Sequence, residues 1–230
     1  MLIGILQTGH AADEVRAEHG DYDDMFERLL GGRGLTFRTW NVVDMDFPAS
    51  TDAADGWLIT GSRHGAYEDH PWIGPLEESI RAIVAAGKPL VGICFGHQII
   101  AQALGGRVEK SPKGWGVGRQ FYAYGDEEVS LNAWHQDQVV QKPEMATTVA
   151  RNAFCEHAAL VYGRQVFTVQ AHPEFSNAVM AGLIEHRGGN VPADRLDHAR
   201  SQLEAPNDSA RIAGDIADFF LLDRTVEATA

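Results

Sequence analysis

The chain has 230 residues, with 19 Lys and Arg against 32 Asp and Glu, a formal charge of −13. Hydrophobic residues make up 44% and charged residues 22%, so one large core can form without metal or disulfide staples. The acidic balance excludes a general nucleic-acid binder and disfavours anionic membranes, because both need a surplus of Lys and Arg. Two cysteines, Cys94 and Cys155, make no disulfide framework. No apolar run approaches the ~20 residues of a membrane span, and Met1–Leu6 lacks the basic n-region of a secretory signal. A cytoplasmic location in a reducing compartment is the expectation.

In chain order, Leu2–Gln7 is a short apolar run closed by Thr8-Gly9, a candidate buried strand. Asp13–Leu30 has helical spacing through Met25, Phe26, Leu29 and Leu30, and Gly31-Gly32 stops it. Leu35–Trp40 alternates as a strand. A turn-rich stretch, Asp46–Asp55, leads to a third apolar run, Gly56–Thr60, and then to Gly61-Ser62. Leu76–Ala86 puts Ile80, Ile83 and Val84 on one helical face. Pro89–Ile93 is a fourth buried strand, and His97–Leu104 a helix stopped by Gly105-Gly106. Strand–helix alternation of this kind predicts a parallel sheet with helices on both faces.

The second half changes character. Gly118–Tyr124 and Val129–Trp134 read as strands joined at Gly125-Asp126, a hairpin signal. Thr147–Arg151, Ala159–Tyr162 and Val166–Gln170 are further short strands. Ser176–Ile184 and Arg211–Leu222 read as helices, and the polar stretch His186–Asp208 between them as a loop or weak helix. The fold expected is one compact α/β domain: a flavodoxin-like, mostly parallel sheet carrying a smaller antiparallel portion.

Val91-Gly92-Ile93-Cys94-Phe95-Gly96-His97-Gln98 carries the most chemistry. A buried strand ends at Cys94 and a helix follows at once, in the Gly-x-Cys-x-Gly pattern of a nucleophile elbow. Gly92 and Gly96 remove the Cβ atoms that so sharp a turn would drive together. A sulfur at a helix N-terminus gains from the dipole and the free N–H groups, which favour thiolate. The N–H of Phe95 points to where an oxyanion would develop. The plainer alternative is a buried strand-end cysteine.

A nucleophilic cysteine needs a base, and the base an orienting group. Ten histidines compete. His172, in Gln170-Ala171-His172-Pro173-Glu174, lies just past a predicted strand, where parallel sheets place reactive groups. Glu174 can orient it. A turn histidine beside a solvated glutamate is the competing account. His97 sits on the helix after Cys94 and reads as structural. Cys155 lacks any elbow pattern. His64 and His70 lie near Asp69 without the paired spacing of a zinc site, so no metal and no cofactor is expected.

In that order, the elbow Gly92–Gln98 and the His172-Pro173-Glu174 turn resemble the class I, triad-type glutamine amidotransferases, over roughly residues 1 to 180. The resemblance implies that Cys94 attacks the carboxamide of glutamine to form a γ-glutamyl thioester. His172 would serve as base and then acid, and Glu174 would orient it. It further implies that the N–H groups of Gly61 and Phe95 form an oxyanion hole, and that Gln98, His135 and Asp137 line the substrate pocket. The residues Ser62–Asp69 would form a lid or acceptor-side loop. Residues 1–185 would be the amidotransferase domain and 186–230 a helical extension of it.

Among members, the chain is most similar to the amidotransferase domain of GMP synthase and to stand-alone γ-glutamyl peptidases. It has no Ser-Gly-Gly-x-Asp pyrophosphate loop and no P-loop, and the stretch after Glu174 is too short for an ATP pyrophosphatase domain. Three expectations follow: a subunit passing ammonia to a synthase partner, a stand-alone hydrolase of γ-glutamyl amides, or a catalytically silent module on the same fold.

Overall fold

The computed structural model describes residues 1–224. Five strands run parallel in the order β2-β1-β3-β4-β11: β1 (Leu2–Leu6), β2 (Thr36–Trp40), β3 (Gly56–Ile59), β4 (Leu90–Ile93) and β11 (Val166–Val169). This is the flavodoxin-like order. The sheet continues antiparallel through β10 (Ala159–Tyr162), β9 (Thr147–Arg151), β6 (Gly116–Tyr124) and β7 (Glu127–His135).

Period-two alternation sends side chains to opposite faces. Ile3, Ile5, Leu58, Val91, Ile93, Phe167 and Val169 meet α2 (Tyr22–Leu30) and α7 (Ser209–Leu221) on one face. Leu6, Trp57, Ile59, Leu90 and Val166 meet α3 (Ile73–Ala85) and α4 (Phe95–Ala103) on the other. The central strands are buried on both faces, as their unbroken apolar runs require. A third cluster joins α1 (Asp13–His19), α5 (Asn177–Arg187) and α6 (Ala193–Ser201) through Val15, Met180, Leu183, Leu196 and Ala199. No helix among the described residues is long and apolar enough to cross a membrane.

One expectation needs correction, one open reading is decided and one pairing is new. Asp13–Leu30 is two helices, because Gly20 adopts φ 78° and Asp21 starts α2. The Asp21 N–H donates to Asp24 Oδ2 at 2.8 Å while the Asp21 side chain caps the helix start, a reciprocal box. Within His186–Asp208 a nine-residue helix, α6, forms and lies on β6. Finally, β5 (Arg107–Lys110) and β8 (Asp137–Gln141) pair as a separate two-stranded sheet that the sequence reading did not foresee. Residues 225–230 of the expected C-terminal extension lie outside the described residues.

Candidate active site

Three adjacent parallel strands, β3, β4 and β11, deliver Gly61, Cys94 and His172 to one end of the sheet. Cys94 has φ 53° and ψ −102°, a backbone state rare for a residue with a side chain. Such a state costs about 1–3 kcal/mol and persists only where its surroundings over-determine it. Here the Cys94 N–H donates to Val169 O at 2.8 Å, Gln98 N–H to Cys94 O at 3.1 Å, and Gly96 N–H to Thr60 O at 3.1 Å. The two glycines of the elbow are steric necessities. A Cβ on Gly92 would lie 2.5 Å from Gly96 O, and one on Gly96 would lie 2.3 Å from Ile59 O.

His172 faces the same cavity as Cys94, and its Nδ1 lies 2.7 Å from Glu174 Oε1. Glu174 is fully buried at its side chain and His172 nearly so. Burial opposes charge on the imidazole, but negative Cys94 and Glu174 outweigh it and push its pKa up to about 10. The His172 imidazole therefore keeps its proton at neutral pH. The ring also stacks flat on Phe175, with centroids 3.9 Å apart and planes at 2°. Backbone pairing fixes the turn: His172 N–H donates to Asn132 O at 2.8 Å, and Asn132 Nδ2 donates to Phe175 O at 2.9 Å.

Gly61 follows β3 so closely under His172 that a Cβ there would lie 2.9 Å from His172 Cε1. The Thr8 hydroxyl contacts the carbonyls of Thr60 and Gly61 at 3.1 and 3.0 Å, which fixes the orientation of this turn. Phe95 opens α4, so its N–H has no partner within the helix and stands next to Cys94.

Gln98, His135 and Asp137 form one connected group. The Asp137 carbonyl accepts from Gln98 Nε2 at 2.9 Å and from His135 Nδ1 at 3.1 Å. Donation from Nδ1 assigns the proton of neutral His135, and burial lowers its pKa to about 4. Tyr67 OH donates to Asp137 Oδ1 at 3.1 Å. His97 points away from the sulfur, into the sheet: its Nδ1 lies 2.8 Å from Thr168 Oγ1, and burial drops its pKa to about 3. Cys155 is 1% exposed and burial raises its thiol pKa to about 12.

Gln170 was missed. It is fully buried at the end of β11, its Oε1 accepts from Gln98 Nε2 at 3.1 Å, and its Nε2 approaches Cys94 Sγ at 3.6 Å. The available signal was a polar residue closing an apolar strand two positions before His172.

A cavity of about 300 Å³ opens over Cys94 and His172. The segment expected as a lid, Ser62–Asp69, supplies one part of the lining through Ser62, Arg63, His64, Gly65, Tyr67 and Glu68. It is tied down by Ser62 Oγ donating to Thr8 O at 2.7 Å and Gln102 Nε2 donating to Ala66 O at 2.7 Å. Trp115, Trp134, Arg187 and Asn190 also line the cavity. The sequence spacing suggested no metal site, yet the folded loop brings His64, Glu68 and His70 together.

The class I glutamine amidotransferase family matches the chain over residues 21–187. The chain belongs to that family. Its reading as an amide-hydrolysing enzyme follows from that membership and from its γ-glutamyl relatives. A glutamine amidotransferase-like protein of Schizosaccharomyces pombe is 31% identical over 95% of this chain and 98% of its own. γ-Glutamyl peptidase 3 of Arabidopsis thaliana is 31% identical over 74% of this chain and 76% of its own. A crystal structure of a glutamine amidotransferase from Methylobacillus flagellatus superposes with a TM-score of 0.73, at 20% identity, over 100% of this chain and 98% of that one; it shares the fold.

Proposed function

We propose that this chain hydrolyses the γ-amide bond of glutamine or of a γ-glutamyl compound through a thioester on Cys94. The observation that carries the reading is the grouping of three buried residues, with Cys94 and His172 facing one cavity and Glu174 Oε1 2.7 Å from His172 Nδ1 behind them. In the first half-reaction the Cys94 thiolate attacks the γ-carbonyl carbon, and the N–H groups of Phe95 and Gly61 receive the oxyanion. As the tetrahedral adduct collapses, the C–N bond breaks and His172 gives its proton to the departing ammonia or amine. Glu174 keeps the imidazole in register and stabilises its charge. In the second half-reaction neutral His172 takes a proton from water, which attacks the thioester; glutamate leaves and Cys94 returns as thiolate. Gln98, His135 and Asp137 shape the γ-glutamyl subsite as a pre-organised unit, and the chemistry needs no cofactor.

The γ-glutamyl peptidase relative supports a substrate whose leaving group is larger than ammonia. Trp115, Trp134, Arg187 and Asn190 offer aromatic and polar groups for it. Residues 186–224 belong with 1–185 in one folding unit, a reading supported by the packing of α7 on β1 and β11 residues. A cytoplasmic, reducing setting suits a catalytic thiol.

The test is turnover by the purified protein with glutamine and with γ-glutamyl dipeptides. Cleavage of the dipeptides without a partner is the expected result, and Cys94→Ala should abolish it. Negligible turnover until a synthase is added would instead favour an ammonia-delivering subunit. Full activity in Cys94→Ala would overturn the mechanism.

A further inference from the structure

The loop between β3 and α3 brings three ligand-bearing side chains to one point of the cavity wall. His64 Nδ1 lies 3.5 Å and His70 Nε2 2.8 Å from the same oxygen, Glu68 Oε2. All three ligand atoms lie within 4.8 Å of one another. Zinc bonds of about 2.0–2.1 Å at tetrahedral angles place neighbouring ligand atoms about 3.3 Å apart, and the two measured separations fall either side of that value. We propose that His64, Glu68 and His70 form a binding site for a divalent first-row transition ion, zinc foremost, on the wall of the catalytic cavity.

The donor set suits such an ion. Two imidazoles and one carboxylate match zinc and its neighbours, whereas magnesium and calcium prefer oxygen alone. Metal binding also needs imidazole in its neutral form. The imidazoles are held by packing as well as by Glu68. The His64 and His70 rings meet edge to face at 4.2 Å, and His70 stacks on Trp72 with planes at 9°. The side chains are 20%, 43% and 32% exposed for His64, Glu68 and His70, so an ion can reach them. A protein of charge −13 favours cations at its surface.

The location gives the ion a consequence. His64 and Glu68 line the same cavity as Cys94 and His172. Trp72, under His70, packs on Phe95 with ring centroids 5.4 Å apart, and Phe95 is the residue after the nucleophile. An ion bridging the loop would stiffen the wall that faces substrate and rests on the elbow.

Cys94 and His172 could themselves capture zinc, so the test removes the thiol first. Zinc is titrated calorimetrically into full-length Cys94→Ser protein, and cobalt absorption is recorded on the same sample. One equivalent should bind, and the cobalt spectrum should show ligand-field bands without a thiolate charge-transfer band. Adding His70→Ala or Glu68→Gln should weaken binding at least ~10-fold, since even loss of an outer-sphere partner costs that much. Circular dichroism would establish that each variant is folded. No saturable binding by Cys94→Ser, or undiminished binding by folded double variants, would overturn the proposal. A persistent thiolate band would do the same, by pointing to Cys155.

Discussion

Glu174 has no solvent contact at its side chain, and its Oε1 lies 2.7 Å from His172 Nδ1. Replacing it by Gln keeps the shape and removes a negative charge. With His172 raised to about 10, the proposed general acid stays charged through neutral pH and loses its proton only as pH passes that value. Glu174→Gln should therefore move the alkaline limb of kcat/KM to lower pH and cut the maximum by about 10²–10⁴. A kcat/KM profile from pH 6 to the alkaline limit, on a γ-glutamyl amide, checks both; an unmoved limb would remove Glu174 from the proposed triad. The same proton links to folding. A pKa raised above 6.5 contributes stability that is complete below 6.5 and lost as pH rises through about 10. Gln170 gives a prediction of a different kind. Gln170→Leu leaves buried Gln98 without one of its acceptors, and should cost about 1–3 kcal/mol in a urea melt. At this scale the sequence was legible where chemistry imposes a motif: the elbow needs Gly92 and Gly96, and His172 needs an acid close by. Gln170 and Asn132 were not, because a polar residue inside a strand carries no mark of which neighbour it serves.

Among the elements, the β4–α4 elbow and the β3 turn act as one part. Gly96 sits against the β3 backbone, so Gly96→Ala must push apart a strand and a helix rather than rotate a side chain. It should lower both stability and kcat/KM, because Cys94 moves with the helix start. Gly214, inside α7, is the contrast. A Cβ there meets only an Arg33 nitrogen at 3.9 Å, so Gly214→Ala should stabilise the protein by about 0.5–1 kcal/mol and leave kcat unchanged. Thermal melts and steady-state rates on the two variants separate a structural glycine from a tolerated one. The same elements show why boundaries were partly hidden. Apolar periodicity ran unbroken from Asp13 to Leu30, and only the Gly20-Asp21 pair marked the break between α1 and α2. Helix α6 buries only Leu196 and Ala199, too few apolar residues to stand out from a loop. Strands β5 and β8 pair across nearly thirty residues of chain, and Arg107–Lys110 has a single buried residue, so nothing local announces them.

Over the whole molecule, the C-terminal segment completes a layer of the sheet. Ile212, Ile216 and Phe220 of α7 are each at most 1% exposed, in the same cluster as Ile3, Ile5, Phe26 and Phe167. Before α7 begins, Asp208 Oδ2 accepts from Ser130 N–H at 2.7 Å and from Ser130 Oγ at 2.9 Å, which fastens the segment to β7. Burying a large aliphatic or aromatic side chain is worth about 1.5–3 kcal/mol, so these three residues together supply about 5–9 kcal/mol. The entire stability of a typical native protein is about 5–15 kcal/mol. A chain ending at Glu185 would therefore lose an amount comparable to its whole margin, and would also turn one apolar face of the parallel sheet toward water. The expected outcome is no cooperative thermal transition, dye binding to exposed apolar surface, and no γ-glutamyl hydrolysis even though Cys94, His172 and Glu174 are all present. A cooperative melt at the full-length temperature would show that residues 1–185 fold alone and that α7 is an appendage. Ile216→Ala provides the graded version: a fully buried site that does not line the cavity should lose about 2–5 kcal/mol while kcat/KM of the folded fraction holds. A large loss of kcat/KM at unchanged stability would instead mean that α7 shapes the site itself.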